Sequence, residues 1–353
     1  MSSTSEGTAA KQGNHSGARE PQRRGAGGII VNWDKCCIFG CCSEIGYMNK
    51  AFEITVLGTS SATPTKYRHP SAQYVRLEGN YFLLDCGEGA QRQLSRYGLR
   101  TQRISHVFIT HLHGDHYFGL PGLITSMALF GRIDPLTIVG PPALKSIIEV
   151  LLTESDSVLP YPLHFVPTQT SHIETVAETD QFAVVSVPLK HRVPCTGFLI
   201  HEKGPERKLN VDACVQHQVP MEFYESIKMG ADYHSTSGKI IPNATLSTAG
   251  YKNRTYAYIT DTIFDPDYLV PLLQEVDLLY HEATFLHDRV DRAAETHHST
   301  ALQAAQMASA ARAKQLLIGH FSARYNEAEP LLDEAQSVFK NTLEAVEGQT
   351  YSL

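Results

Sequence analysis

Long apolar runs are what this sequence most plainly lacks. No stretch approaches the ~18–20 consecutive apolar residues that a membrane-spanning helix needs, although 42% of the chain is hydrophobic. The opening MSSTSEGTAAKQGNHSGAREPQRRGAGG has no apolar core of the kind a secretory signal requires. Membrane and export readings are therefore set aside, and a cytoplasmic protein is expected. Cysteine is also scarce: seven residues, an odd and unevenly scattered set, make no disulfide framework and point to a reducing compartment. The paired thiols of CCIFGCC (36–42) lack the two-residue spacing usual at zinc. Excess positive charge is missing too. With a formal net charge of −7, any polyanionic partner must be met by a local basic patch.

What remains is a chain of 353 residues, enough for one large domain or two smaller ones with a substantial core. Residues 1–28 are rich in Ser, Gly, Thr and Ala without hydrophobic period and read as disordered. Order is expected to begin near MNKAFEITVLG. Residues 1–47 are thus expected to be a dispensable extension, and 48–353 the folded domain. Short strands are predicted at 52–58, 71–79, 81–87, 104–110 and 136–142, and again at 182–191, 196–202, 255–261, 277–283 and 314–321. Helices are predicted at 88–98, 143–152 and 299–313. Two strand-rich halves with helices predict an α/β fold of two packed sheets flanked by helices. Residues 202–247 are the least regular and read as an excursion from that core.

One stretch carries chemistry. ITHLHGDHYFGLPG (109–122) puts His111, His113, Asp115 and His116 in the spacing H-x-H-x-D-H at the end of an apolar run. Imidazole nitrogens and a carboxylate suit zinc. Four donors in six residues exceed the need of one tetrahedral ion once remote ligands are added, which suggests two adjacent ions, as in phosphoester cleavage. The bland alternative is a solvated histidine-rich loop, which the apolar flanks oppose.

This signature resembles the metallo-β-lactamase superfamily, whose architecture is an αββα sandwich of two mixed sheets. The matching later positions are His191, Asp261 and His320, each ending a predicted strand. The resemblance implies one ion on His111, His113 and His191, and another on Asp115, His116 and His320. Asp261 would bridge them, and a shared hydroxide would have its pKa lowered toward ~7. Within the superfamily, LGTSSATPT, LLDCGEGAQRQL, LLYHEATF, HHSTALQAAQMA and GHFSARY together resemble ribonuclease Z, the tRNA 3′-processing endonucleases, over residues 52 to 325.

The resemblance implies an endoribonuclease that takes 3′ trailers off precursor tRNA, leaving a tRNA 3′-hydroxyl and a trailer 5′-phosphate. Its cofactors would be two Zn²⁺ per subunit, with Mn²⁺ as the other candidate, and its assembly a homodimer. Glu282 and His298 fall on the family's proton-donating pair; read alone, they are a structural acid and a helix-start residue. Asp115 would also accept a proton from the attacking water. Asp85 is expected to brace the metal loop through hydrogen bonds.

Ser299 and Thr300, opening a helix, and Ser322 and Arg324, beyond His320, are expected substrate contacts. So are Arg92, Arg96 and Arg100, which four-residue spacing places on one helical face. Two departures stand out. The 202–247 segment is not the Gly/Pro-rich basic arm that such enzymes extend to tRNA, and His69-Pro70 stands where the family more often has an Asn after Arg. The alternative reading is a metallo-β-lactamase-fold phosphodiesterase or arylsulfatase acting on small esters.

Overall fold

A computed structural model describes residues 51–204, 207–250 and 252–353. The expectation for residues 1–47 and the CCIFGCC thiols lie outside the described residues. The first half lays down β1 (Phe52–Gly58), β2 (Ala72–Leu77), β3 (Asn80–Cys86), β4 (His106–Phe108), β5 (Leu136–Gly140) and β6 (Leu163–Pro167). Helices α1 (Ala90–Arg96), α2 (Gly114–Tyr117), α3 (Leu120–Leu129) and α4 (Ala143–Glu154) are interleaved with them. Then come β7 (Glu174–Glu178), β8 (Phe182–Leu189) and β9 (Cys195–Glu202). An insertion carries β10 (Arg207–Leu209), α5 (Val211–Gln216), α6 (Tyr224–Lys228), β11 (Tyr233–His234), β12 (Ile240–Ile241), α7 (Asn243–Leu246) and β13 (Ser247–Ala249). The chain returns through β14 (Thr255–Ile259), α8 (Pro266–Leu272), β15 (Leu278–Glu282), α9 (Val290–Thr296), α10 (Ala301–Ala310), β16 (Leu316–Gly319), α11 (Glu329–Val338), β17 (Thr342–Glu344) and β18 (Thr350–Ser352).

These build two mixed seven-stranded sheets, ordered β18-β1-β2-β3-β4-β5-β6 and β17-β16-β15-β14-β9-β8-β7. Between them lies a core of Phe52, Ile54, Phe82 and Phe108 from the first sheet against Phe198, Tyr256, Tyr258 and Tyr280 from the second. Helices α1, α3 and α4 cover the outer face of the first sheet through Leu94, Leu123, Ile124 and Ile148. Helices α8, α10 and α11 cover the second through Leu269, Ala304, Met307 and Leu331. This is the expected αββα sandwich. Strand β15, LLYHE, is buried at every residue, as a parallel strand covered on both faces must be.

Several boundaries differ from expectation for local reasons. The strand expected over 104–110 pairs only from His106 to Phe108, because the Thr110 amide leaves the ladder to donate to the Asp85 carboxylate at 2.8 Å. The helix expected over 88–98 ends at Arg96, and Gly98 takes the turn at φ +64°. Arg100 therefore does not share a helical face with Arg92 and Arg96. Between β9 and β14, the described residues from 207 to 249 have a small core of their own, with Cys214, Ile227, Tyr233, Ile241 and Leu246.

Candidate metal centre

The chemistry-bearing side chains gather where strands of both sheets end. β4 delivers His111 through His116, β8 leads to His191, β14 to Asp261 and β16 to His320. The metal loop packs down on the end of β3. A Cβ on Gly119 would lie 2.2 Å from the Gly87 carbonyl oxygen, so only glycine fits there. Asp85, His297 and His320 all have φ between 54° and 60°. Such backbone costs roughly 1–2 kcal/mol per residue without glycine, and here it is concentrated around one site.

Two clusters of donors face one another across Asp261. In the first, His113 Nδ1 lies 3.0 Å from His111 Nε2 and 3.2 Å from His191 Nε2. Asp261 Oδ2 is 3.5 Å from His111 Nε2 and 3.7 Å from His191 Nε2. In the second, Asp115 Oδ2 is 3.5 Å from His116 Nε2 and 3.6 Å from His320 Nε2. The other Asp261 oxygen, Oδ1, sits 3.4 Å and 3.2 Å from those same two nitrogens. One carboxylate thus offers one oxygen to each group.

The far sides of the rings explain why the near sides are free. His116 Nδ1 is 2.7 Å from Asp85 Oδ2. His191 Nδ1 donates to the His297 carbonyl at 3.0 Å, and His320 Nδ1 meets the Thr284 hydroxyl at 3.0 Å. His111 Nδ1 faces the Thr110 hydroxyl at 3.0 Å and the Cys195 thiol at 3.7 Å. With the outer nitrogens engaged, the inner nitrogens carry lone pairs. His116 Nε2 and His320 Nε2 are buried with no hydrogen-bond partner, a costly arrangement that a cation would relieve. Three groups of side chains lie within metal-binding reach among the described residues: His111, His113, His191 and Asp261; Asp115, His116 and His320; and Asp261, His298 and His320. The residues fit a metal centre.

Electrostatics divide: at His116 burial is outweighed by the carboxylates of Asp261, Asp85 and Asp115, which hold the ring well above the usual histidine range, a charge balance that a cation would replace. Burial, reinforced by the neighbouring imidazoles, pushes His111 well below the usual histidine range and His191 down to about 4. Both are neutral, as ligands must be. Burial also opposes ionisation of Asp115 and Asp261, yet the adjacent histidines hold both carboxyls well below the usual carboxylate range.

Asp85 braces the loop as expected. Besides His116, it accepts from the Thr110 amide and hydroxyl and from the Tyr258 hydroxyl at 2.9 Å. At the edge of the second group, buried Glu282 accepts from His298 Nδ1 at 3.0 Å and from the Thr262 amide at 2.9 Å. Burial lowers the His298 pKa, but the Glu282 charge and hydrogen bond outweigh it and raise the ring to about 9. Thr284, which sequence reasoning passed over, links the two features: its hydroxyl donates to Glu282 and accepts from His320 Nδ1. Ala62 was missed as well. Its amide, at φ +63°, donates to Asp115 Oδ2 at 2.7 Å. A threonine or alanine carries no signal of its own; only contact reveals it.

The expected substrate contacts divide. Ser299 and Thr300 are fully buried; Ser299 donates to the Thr262 carbonyl, and Thr300 caps α10 with Gln303 in a reciprocal capping box. Both hydroxyls make hydrogen bonds within the fold. Ser322 accepts from Arg324 Nε at 3.2 Å, and Arg324 lies exposed over the Phe285 ring. Arg92 and Arg100, joined by Arg103, line a cleft of about 970 Å³ between α1 and α3. Arg96 is outside that lining and packs over Tyr97.

Known proteins place this geometry. Residues 52–160 match the family model described as anti-Pycsar protein Apyc1. Ribonuclease Z of Porphyromonas gingivalis is 45% identical over 297 residues, covering 84% of this chain and 97% of that protein. Ribonuclease Z of Parabacteroides distasonis is 42% identical over 302 residues, covering 86% and 99%. Among solved structures, the short form of human tRNase Z superposes with a TM-score of 0.62 at 29% identity, over 85% of this chain and 98% of that one. The metallo-β-lactamase fold protein YhfI of Bacillus subtilis gives 0.61 at 19% identity, over 86% and 100%. With these lengths shared and the site assembled at the strand ends, the chain belongs to the ribonuclease Z family of metallo-β-lactamase-fold proteins.

Proposed function

We propose that this chain is a metal-dependent endoribonuclease that removes 3′ trailers from precursor tRNA, leaving a 3′-hydroxyl on the tRNA and a 5′-phosphate on the trailer. The observation that carries the reading is the Asp261 carboxylate shared between two donor groups, with the Glu282–His298 pair at their edge. His111, His113 and His191 would hold one Zn²⁺, Asp115, His116 and His320 the other, and Asp261 both. When bound, such ions acidify water and stabilise negative charge on a phosphoryl oxygen.

The chain's own residues do the rest. Glu282 fixes the His298 ring by its Nδ1 and favours the imidazolium, leaving Nε2 to protonate the departing 3′-oxygen. Asp115, ionised and held by the Ala62 amide, is placed to take the proton of the attacking water. The guanidiniums of Arg92 and Arg100, with Arg103, make a cleft suited to phosphates. That cleft matters because the insertion is not basic. Its described residues between 207 and 247 include Arg207, Lys208, Lys228 and Lys239, matched by Asp212, Glu222, Glu225 and Asp232.

A homodimer belongs to this reading. Phe118, Leu129, Phe130 and Ile133 are each at least 62% exposed, an apolar group that favours covering by a second copy. The cytoplasm is the proposed location; among the described residues no helix is long and apolar enough to cross a membrane.

The test is cleavage of a precursor tRNA bearing a 3′ trailer, with product ends mapped, for the intact protein and His298→Ala. A single cut after the acceptor stem, slowed about 10²–10⁴-fold by the substitution with bound metal unchanged, supports the assignment. An uncut precursor, alongside ready hydrolysis of a small phosphodiester, would move the protein to the small-ester reading.

A further inference from the structure

Next to the catalytic pair is a second cavity that none of the roles above uses. It has a volume of about 550 Å³, and His298 and His191 form part of its wall. That size falls in the range of small-ligand pockets. Its remaining wall comes from Lys190, which lies beside His191 and is paired with Asp265 at 2.7 Å, from the segment after β14, from the end of α9 and from the start of α10.

The chemistry of the wall is mixed in a particular way. Ile263 and Phe264 are half-buried and present apolar surface, and Phe264 is fixed from behind by packing on the second sheet's outer core. Opposite them stand groups that can form hydrogen bonds. Gln303 spends its carbonyl on the Thr300 amide at 3.0 Å, so its amide N–H groups are fixed in orientation and available. His297 adopts φ +59° and spends its carbonyl on His191. Its Nδ1 is buried with no hydrogen-bond partner. A buried, unpartnered ring nitrogen beside a cavity calls for a ligand group. A fixed aromatic face with a few oriented polar groups at its edge is how proteins hold an unstacked nucleobase.

We propose that this cavity seats the base of the nucleotide on the 5′ side of the cut, stacked on Phe264 with its edge met by Gln303 and His297. The assignment to that nucleotide rests on the proposed function. His298 borders the cavity, and the oxygen it protonates belongs to that nucleotide's ribose, so the attached base lies within reach of the same wall. A purine, with the larger π-face, is the preferred occupant.

The experiment uses the full, metal-loaded protein and precursor tRNAs that differ only at this nucleotide: adenine, cytosine or an abasic residue. Phe264→Ala tests the stacking directly. Phe264→Leu fills the same volume without a π-face and guards against a folding defect, with thermal unfolding measured for both. The wild type should lose about tenfold in kcat/KM when the base is removed, and should prefer adenine over cytosine. Phe264→Leu should cut the adenine substrate about tenfold more slowly than wild type and lose nothing further on the abasic one. Equal losses on base removal for wild type and variant would overturn the inference, as would a wild type indifferent to the base. A wild type that leaves every precursor uncut overturns the functional reading first, and this inference with it.

Discussion

His298 and Glu282 set the behaviour expected at the scale of single residues. If His298 is the proton donor, activity must fall as pH rises through its pKa, which the Glu282 charge and hydrogen bond hold up at about 9. Glu282→Gln keeps a hydrogen-bonding group but removes the charge. The ring then protonates less readily, and the alkaline limb of the pH–kcat profile should move to lower pH. An unmoved limb would assign the titration elsewhere. The clustered donor side chains were legible because their spacing is unusual for any other purpose: H-x-H-x-D-H after an apolar strand has little structural use. Ser299 and Thr300 were less legible, for the opposite reason. A hydroxyl at a helix start serves phosphate or the helix itself, and sequence does not tell which. Here the cap of α10 took it.

Loops and strands add constraints that no single side chain reveals. The segment 59–70 runs between two ligand-bearing elements. Its Ala62 amide holds Asp115, and the Ser61 amide donates to the Phe321 carbonyl at 3.0 Å, next to His320. Its far end is tied by Glu347, which accepts from the His69 amide at 2.6 Å and meets His69 Nδ1 at 2.8 Å and Gln93 Nε2 at 2.9 Å. The departure His69 is thus absorbed by a partner far along the chain. Glu347 touches no donor residue itself, so Glu347→Ala should lower metal affinity by less than the ~10–100-fold that loss of a direct ligand-supporting contact causes. It should also lower Tm by a few degrees. A chelator competition that gives the wild-type value would rule this out. Buried strands such as LLYHE were readable from their apolar runs. Strands β6, β7, β17 and β18 went unread, because edge strands such as ETVAE alternate partly exposed residues and carry little pattern. The arginine spacing suggested a longer α1, but Gly98 stops that helix before Arg100.

For the molecule as a whole, the two-sheet architecture followed from strand-rich halves, while the exposed apolar group could not be foreseen. Leu129, Phe130 and Ile133 sit in and just beyond the apolar flank of the histidine cluster, and only the fold turns them outward. If they meet a second copy, Phe130→Asp should convert the dimer to a monomer in sedimentation, with KM for precursor tRNA raised and metal content kept. A wild type that sediments as a monomer would remove the dimer from the reading.

The order of ligands along the chain has a consequence for biosynthesis. His111, His113, Asp115 and His116 lie just beyond β4, yet His320 comes after β16, and β18 must return to pair with β1. A growing chain leaves the ribosome N-terminus first. It therefore exposes three closely spaced histidines long before the residues that complete either donor group exist. Metal loading becomes a late step, and an interrupted translation product would carry an open chelating loop without a centre. The nuclease stays inert until nearly all of it has been made.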